Sequence, residues 1–162
     1  MKPNTYTQIY IHLVFAVKFR ENLLRKKHRE ILFPYISGLL TMKKHKSIAV
    51  NGMEDHIHIL LGLNPNQSIT DLVRDIKRSS ALFINQNQWF QKRFQWQEGF
   101  GGFSYAKSNL DNAYRYILRQ EEHHKKVSFK REYLKMLEKF EISFQDEYLF
   151  EFLDTTKRIH NQ

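Results

Sequence analysis

Runs of branched and aromatic residues alternate with polar stretches along the chain and predict four strands. The residue types in each run are those that favour a pleated, half-buried backbone. Asn51-Gly52 follows the second run and favours a hairpin turn into the third. The fourth run is rich in glycine, which predicts a bulged strand where the backbone approaches another group closely. The four runs lie at residues 9–18, 47–51, 56–63 and 98–105.

Apolar residues recur at helical spacing between these runs. The pattern predicts helices at residues 23–42 and about 69–85, with Asn22 and Ser68 capping their first turns. Pro34 lies inside the first of these helices and predicts a kink or a break.

After the fourth run, the same spacing predicts a helix that begins at Ser108 or Asn109 and continues to about His123. Two short helices are expected beyond it, at residues 129–140 and 146–153. The order β-α-β-β-α-β followed by helices is the split βαβ arrangement of ferredoxin-like and RNA-recognition-like folds. We therefore predict an α+β protein with a four-stranded antiparallel sheet, in which residues 127–162 form a helical extension of the main body, residues 1–126.

Composition narrows the class of protein. The chain has 162 residues, of which 41% are hydrophobic, and this suits one domain with a core. No run approaches the ~20 apolar residues of a membrane helix, and the N-terminus lacks a signal-peptide pattern. The chain has no cysteine, which excludes disulfides and thiolate metal sites. A cytoplasmic protein without a membrane segment is expected.

The charge of the chain points to a polyanionic partner. The formal net charge is +9, and aromatic residues make up 14% of the chain. Lysine and arginine gain affinity from phosphate neutralisation, and aromatic rings stack on unpaired bases, so single-stranded nucleic acid is a candidate ligand. Arg74, Lys77 and Arg78 share the outer face of a predicted helix and are candidate DNA contacts, although such faces are commonly just solvated.

His56 and His58 are the first candidates for chemistry. Residues two apart on a strand share a face, so both imidazoles project to one side of the sheet and could chelate a divalent metal. A hard cation needs further oxygen ligands. Two histidines that are simply hydrogen-bonded would give the same motif. His12, on the first strand, is expected to be a partnered or edge histidine rather than a ligand.

Tyr116 and Gln120 are the second pair of candidates. Their spacing places them on one face of a continuous helix, where a tyrosine could attack phosphate and a glutamine oxygen could complete a metal shell. A phosphotyrosine ester retains the bond energy, so an attacking 3′-OH could reverse it. Tyr105 and Tyr114 are alternative nucleophiles. Four further residues are rival metal ligands that we expect to face solvent at the helix end: Glu121, Glu122, His123 and His124.

Several motifs together resemble the small single-tyrosine HUH (His-hydrophobe-His) transposases, of which REP-associated tyrosine transposases are relatives. The resemblance covers nearly the whole chain. It implies that residues 1–126 are a catalytic domain that includes the tyrosine helix. The residues that carry it are 12–18, Asp55-His56-Ile57-His58, 99–104 and 116–124.

The resemblance also implies roles for particular residues. His56 and His58 match the paired metal ligands, Gln120 matches the third ligand and Tyr116 the nucleophile, with Mg²⁺ or Mn²⁺ as the cofactor. Such proteins are homodimers, in some of which each site is composite. They recognise DNA hairpins at element ends, cleave nearby single strands through a 5′-phosphotyrosine link and release a 3′-OH that attacks a second junction.

Other functions fit parts of the same pattern. A replication or relaxase-type HUH nickase would use identical chemistry but commonly carries further domains. A domesticated relative would keep the same motifs. A non-catalytic nucleic-acid binder with an RNA-recognition-like sheet would instead carry aromatic residues on the open face of its central strands, and Tyr116 would be dispensable. A basic structural protein would leave both motifs unexplained.

Overall fold

A computed structural model describes residues 4–145 of the chain. Four strands and five helices alternate there in the predicted order, and a single 3₁₀ turn covers Lys18–Arg20. The elements are β1 (Tyr10–Ala16), α1 (Lys26–Met42), β2 (Lys46–Gly52), β3 (His56–Gly62), α2 (Ile69–Gln86), β4 (Gly101–Tyr105), α3 (Lys107–Leu118), α4 (Gln120–His123) and α5 (Phe129–Lys139).

The four strands form one antiparallel sheet in the order β2-β3-β1-β4. The two central strands, β1 and β3, are not consecutive in the chain, and each begins one of the two β-α-β units, which is the split βαβ topology. The predicted fold class is therefore confirmed.

Strand alternation gives the sheet two faces with different partners. On one face, Phe15 and Ile57 belong to the main core, which includes the apolar stripes of α1 and α2. On the opposite face, Leu60 packs with Ala113 and Ile117 of α3. The C-terminal end of α5 also reaches this second face, where the ring of Phe140 lies 4.8 Å from that of Phe103 on β4. We call this second side the α3 face.

The first predicted helix begins later than expected. α1 starts at Lys26, and Asn22 does not cap it, because Arg25 is the N-cap residue and provides no side-chain hydrogen bond. Leu24 is buried and its N–H donates to the Glu54 carbonyl, which fixes this segment against the β2–β3 turn. The helix also continues through Pro34, so the predicted break was wrong.

The predicted turn at Asn51-Gly52 is displaced. Both residues belong to β2, and the turn lies at residues 53–55, where the Met53 N–H donates to the His56 carbonyl. Gly52 serves a different purpose here, because a Cβ at this position would overlap the His56 carbonyl oxygen. The glycine allows β2 to pass against the first residue of β3.

Two strands contain special backbone features. The expected close approach in β4 is found at Gly101, where a Cβ would lie 2.9 Å from the Tyr133 ring. β4 pairs with β1 in regular register, so the bulge predicted there was wrong. A bulge occurs instead in β2, where the register shifts between Ser47 and Ala49 and Ile48 is the extra residue.

The predicted helix from Ser108 or Asn109 to His123 is two helices. α3 begins after Ala106 without a side-chain cap and ends at Leu118, and α4 follows after Arg119. The Asn51 side chain donates to the Ile117 and Leu118 carbonyls, which satisfies the end of α3.

Other helix predictions agree with the structure. Ser68 caps α2 by accepting from the Asp71 N–H, as predicted, and Ser128 caps α5 in the same way. The helix predicted at residues 146–153 lies outside the described residues. Among residues 4–145, no helix is long and apolar enough to cross a membrane.

Candidate active site

His56 and His58 lie side by side on the α3 face of β3. Strand alternation places both on the same side as Leu60, and both side chains are fully buried. Their ring centroids are 5.1 Å apart. The shared face predicted for the two histidines is therefore present, beneath the tyrosine helix.

Neighbouring side chains orient both imidazoles. His56 Nδ1 lies 2.6 Å from Asp55 Oδ1 and so donates its proton to that carboxylate, which leaves Nε2 to face the centre of the site. His58 Nδ1 lies 2.8 Å from His12 Nε2. His12 is thus a buried, partnered histidine, as the sequence predicts. Burial, opposed by Asp55, lowers the pKa of His56 to about 4 and keeps its imidazole neutral at pH 7.

Asp55 links this site to the segment before α1. Its Oδ2 accepts from Arg20 Nε at 3.0 Å and also from Arg20 Nη2. Burial raises the pKa of Asp55, but the hydrogen bond of His56, its charge in the protonated form at low pH, and the charge of Arg20 outweigh it and bring the pKa to about 2. The carboxylate is therefore ionised at neutral pH and holds the His56 ring through one oxygen.

Gln120 and Tyr116 reach the histidines from two different helices. Gln120 is the first residue of α4, is fully buried, and places Oε1 3.2 Å from His56 Nε2. Tyr116 lies on α3, with its ring perpendicular to that of His58 at a centroid distance of 6.0 Å. The predicted continuous helix was wrong, yet both side chains converge on the same centre.

Glu132 lies at that centre and was missed by sequence reasoning. It projects from α5 and is 2% exposed, and its Oε1 lies 2.9 Å from His58 Nε2 and 3.6 Å from His56 Nε2. Its Oε2 accepts the hydroxyl hydrogen bond of Tyr116. Burial raises the pKa of Glu132, but the surrounding histidines outweigh it and hold the pKa well below its usual range.

The contact with Glu132 also changes the pKa of Tyr116. Burial, followed by the charge and the hydrogen bond of Glu132, raises the pKa of the Tyr116 phenol well above its usual value. In the resting site Tyr116 is therefore a neutral phenol that donates to a carboxylate.

His124 also belongs to the site, contrary to the expectation that it faces solvent. Its side chain is 8% exposed, and Nδ1 lies 2.8 Å from the Val127 carbonyl, which must accept from it. The turn after α4 reverses the chain and carries the ring inward. Of its neighbours, Glu121 fits the expectation better: it is largely exposed and pairs with Arg29.

The donor atoms of this cluster fit a divalent cation. His56, His58, His124 and Glu132 each offer one donor within 4.8 Å of the others, and the mixture of imidazole and carboxylate is one that transition-metal and manganese sites use. Gln120 Oε1 lies 3.2 Å from His56 Nε2 and 2.9 Å from His124 Nε2. Since both rings donate through Nδ1, three acceptors meet there, and a positive charge between them would relieve their repulsion.

Turning the Gln120 amide over would relieve this conflict but create a second one. In that orientation its NH₂ group would donate to the two histidines, but its oxygen would lie where Nε2 now lies, 3.4 Å from Glu132 Oε2. A cation therefore suits the cluster better than an internal hydrogen-bond network does.

The two alternative tyrosines are placed differently. Tyr114 is 39% exposed, on another side of α3. Tyr105 lies on β4 with its ring centroid 6.0 Å from that of His12, and burial raises its pKa. Of the three, Tyr116 is the one whose hydroxyl meets Glu132.

The predicted basic face of α2 lines an open groove of about 1180 Å³ on the side of the molecule away from α3. Arg74 is 66% exposed and pairs with Asp71, and Arg78 is exposed. Lys77 is occupied instead, because its ammonium donates to the Gln97 and Gly99 carbonyls at 2.7 and 2.6 Å. The three residues thus share a groove, but one of them holds the backbone of the neighbouring segment.

The fold and the site together define a class of protein: a split βαβ sheet with a buried histidine and carboxylate centre that faces a tyrosine on a helix. The chain belongs to the IS200-like transposase family, whose model matches residues 5–120. It is therefore a member of a family of DNA-processing enzymes.

Individual relatives agree with this membership. The chain is 30% identical over 87 residues to the ISDra2 transposase TnpA of Deinococcus radiodurans, a match that covers 52% of this chain and 62% of that protein. The match thus spans less than two thirds of that relative.

Two solved structures share the fold. One is a protein of Deinococcus radiodurans R1 described as a transposase, with a TM-score of 0.56 at 22% identity, covering 74% of this chain and 96% of that one. The other is a REP-associated tyrosine transposase bound to a REP hairpin, with a TM-score of 0.58 at 15% identity, covering 78% and 75%.

Proposed function

We propose that this protein is a metal-dependent transposase that cleaves and rejoins single-stranded DNA through a 5′-phosphotyrosine intermediate. The observation that carries the proposal is the convergence on Glu132. One oxygen of this carboxylate faces His58 and His56, and the other accepts the hydrogen bond of Tyr116. A nucleophile and a set of metal-ligand side chains that share one residue are placed to act on the same phosphate.

The chain's own residues have distinct parts in the proposed reaction. The Tyr116 oxygen attacks a DNA phosphorus, and the bond from that phosphorus to the 3′ oxygen of the preceding nucleotide breaks. The phenol proton passes by way of Glu132, its acceptor in the resting site, to solvent, and the departing oxygen takes one proton from solvent to become a 3′-OH. The ester retains the energy of the broken bond, so a second 3′-OH can reverse the step.

Mg²⁺ or Mn²⁺ is the cofactor in this proposal, and when bound it would polarise the scissile phosphate as a Lewis acid. His56, His58 and Gln120 are the proposed ligands, and His124 and Glu132 offer further donors. Asp55 and His12 hold the rings of His56 and His58.

DNA with hairpin ends is the proposed substrate. The fold-related REP-associated transposase was solved with a REP hairpin, and this chain carries a net charge of +9. We assign the groove beside α2 to DNA, with Arg74 and Arg78 as phosphate contacts and Lys77 as the residue that shapes its wall. A homodimer, with the tyrosine helix able to complete the partner's site, is part of the same proposal.

The domain division is also proposed. Residues 1–126 form the catalytic body and residues 127–162 an extension of the same domain. The position of Glu132 supports a single domain, because a residue of the extension reaches between the histidines and the tyrosine.

The test is formation of a covalent adduct. The protein is incubated with labelled single-stranded DNA carrying candidate element ends and with Mg²⁺ or Mn²⁺, and denaturing electrophoresis is used to detect protein–DNA species. We expect a metal-dependent adduct that is lost in Tyr116→Phe and retained in the matched variant Tyr114→Phe. An adduct that survived Tyr116→Phe would refute the assignment of the nucleophile, and no adduct despite tight DNA binding would refute the proposed activity.

The non-catalytic alternative loses its main structural requirement. It needs an open sheet face with aromatic residues on the central strands. The α3 face carries His12, His56 and His58 at its centre, and α3 covers it. Stacking of bases on that sheet is therefore not favoured.

A further inference from the structure

α5 carries a row of positive charge that sequence reasoning did not identify. Arg131, Lys135 and Lys139 follow one another at four-residue intervals, so they lie on one side of the helix. All three side chains are exposed. Within residues 4–145, none of the three has an acidic partner within ion-pair distance, so their charge is available to a ligand.

This row forms one wall of a cavity of about 740 Å³. Residues of α3, Asn109 and Asn112, line the other side. The Tyr116 side chain and Glu132 also line the cavity, so the cavity borders the proposed nucleophile. At one end, the ring of Tyr105 is beneath the Lys139 ammonium, which lies 5.9 Å from the ring centroid.

The size and the lining of the cavity limit what it can hold. A volume of about 740 Å³ is that of a small-ligand pocket, which admits a single strand rather than a double helix. Cations one helical turn apart are about 6 Å apart along the axis, so an extended strand along α5 would meet them one after another. An aromatic ring and amide side chains offer stacking and hydrogen bonds to an unpaired base.

We propose that this cavity binds the single DNA strand on one side of the scissile phosphate, with successive phosphodiesters against Arg131, Lys135 and Lys139 and a base near Tyr105. The inference deepens the proposed function and rests on it for the identity of the strand. It assigns a second DNA-binding surface, separate from the groove beside α2, because α2 lies on the other face of the sheet.

The test measures salt-dependent binding without cleavage. In the Tyr116→Phe background, a fluorescent single-stranded oligonucleotide is titrated with the protein over a range of salt concentrations. The triple variant Arg131→Gln, Lys135→Gln, Lys139→Gln should lower the slope of log affinity against log salt by about 2, since each neutralised phosphate of a single strand contributes about 0.7. Lys135→Gln alone should lower it by about 0.7.

A matched triple variant controls for net charge. Arg25, Lys26 and Lys27 are exposed at the start of α1, on the other face of the sheet, and their replacement by glutamine removes the same charge. We expect this variant to keep the wild-type slope. An unchanged slope in the α5 variants, or equal losses in both triples, would overturn the assignment.

The two proposals can fail separately. If the wild-type protein forms the covalent adduct but the α5 variants keep the full salt slope, the cavity assignment is wrong and the proposed function stands. If no adduct forms but the slope falls as expected, the cavity binds a single strand and the proposed chemistry is wrong.

Discussion

Replacing Asp55 with asparagine would weaken its interactions with two buried side chains, Arg20 and His56, at once. The Asp55 carboxylate accepts from Arg20 through one oxygen and from His56 through the other. Its side chain is 13% exposed and that of Arg20 is 7% exposed. Asparagine has nearly the same shape but no charge, so the substitution removes the electrostatic interaction with little change in packing.

The size of the effect follows from the pKa of Asp55. Folding lowers this pKa from 3.8 to about 2, which corresponds to about 2 kcal/mol of stability at neutral pH. The substitution also breaks the ion pair with Arg20, and breaking a buried pair costs at most about 3–5 kcal/mol. We expect Asp55→Asn to lower the free energy of unfolding by about 2–4 kcal/mol.

The pH dependence has a defined sign. The folded pKa is lower than the unfolded pKa, so the contribution of Asp55 is fully present above pH 3.8 and is lost as the pH falls through about 2. The difference in stability between the wild-type protein and Asp55→Asn should therefore shrink between these two values.

Urea unfolding measures this effect directly. Chelator is present throughout, so that metal binding does not contribute, and Arg20→Met and the double variant complete a mutant cycle. The double variant should lose less than the sum of the single variants. A loss below about 0.5 kcal/mol for Asp55→Asn at pH 7, the range of ordinary surface changes, would refute the reasoning.

Two further predictions concern the backbone and the groove. Gly52→Ala should destabilise the protein by about 1–3 kcal/mol, because the new Cβ would overlap the His56 carbonyl. Gly38 lies in the middle of α1 with open space around it, so Gly38→Ala should stabilise the protein by up to about 1 kcal/mol. Urea unfolding of both variants checks this, and equal effects would contradict it. Burial lowers the pKa of Lys77 from 10.5 to about 8, so the unfolded chain binds more protons between these values and Lys77 makes stability rise with pH there. Thermal unfolding should show a smaller rise in Lys77→Met than in the wild-type protein, and an identical pH profile would rule out this role.

The elements of the fold were predictable because each depends on local periodicity. β1 and β3 lie within their predicted runs, and the Ser68 cap of α2 is a local interaction between a side chain and the backbone three residues on. Asn22 and Ser108 have the same chemistry as Ser68 but do not cap. Before α1, the Leu24 N–H donates to the Glu54 carbonyl, a tertiary contact that the local pattern does not encode.

The candidate site was predictable only in part. His56 and His58 share a face because strands alternate, and Tyr116 and Gln120 are near each other because they are close in sequence. Glu132 depends on how α5 folds back, which local pattern does not encode. A signal existed nonetheless: Glu132 falls on the apolar stripe of α5, between Phe129 and Met136, and a carboxylate there must find buried partners.

The extra residue in β2 can be removed without changing which way the rest of the strand faces. Before Ile48, Ser47 faces α1, where its hydroxyl meets that of Ser37 at 2.6 Å. After it, Asn51 faces α3 and caps the tyrosine helix. Ser47 and Ala49 pair with the adjacent residues Leu61 and Leu60, so deleting Ile48 would restore regular pairing and leave both halves of the strand facing as they do now. Ile48 is therefore the position in β2 at which a deletion should be tolerated best.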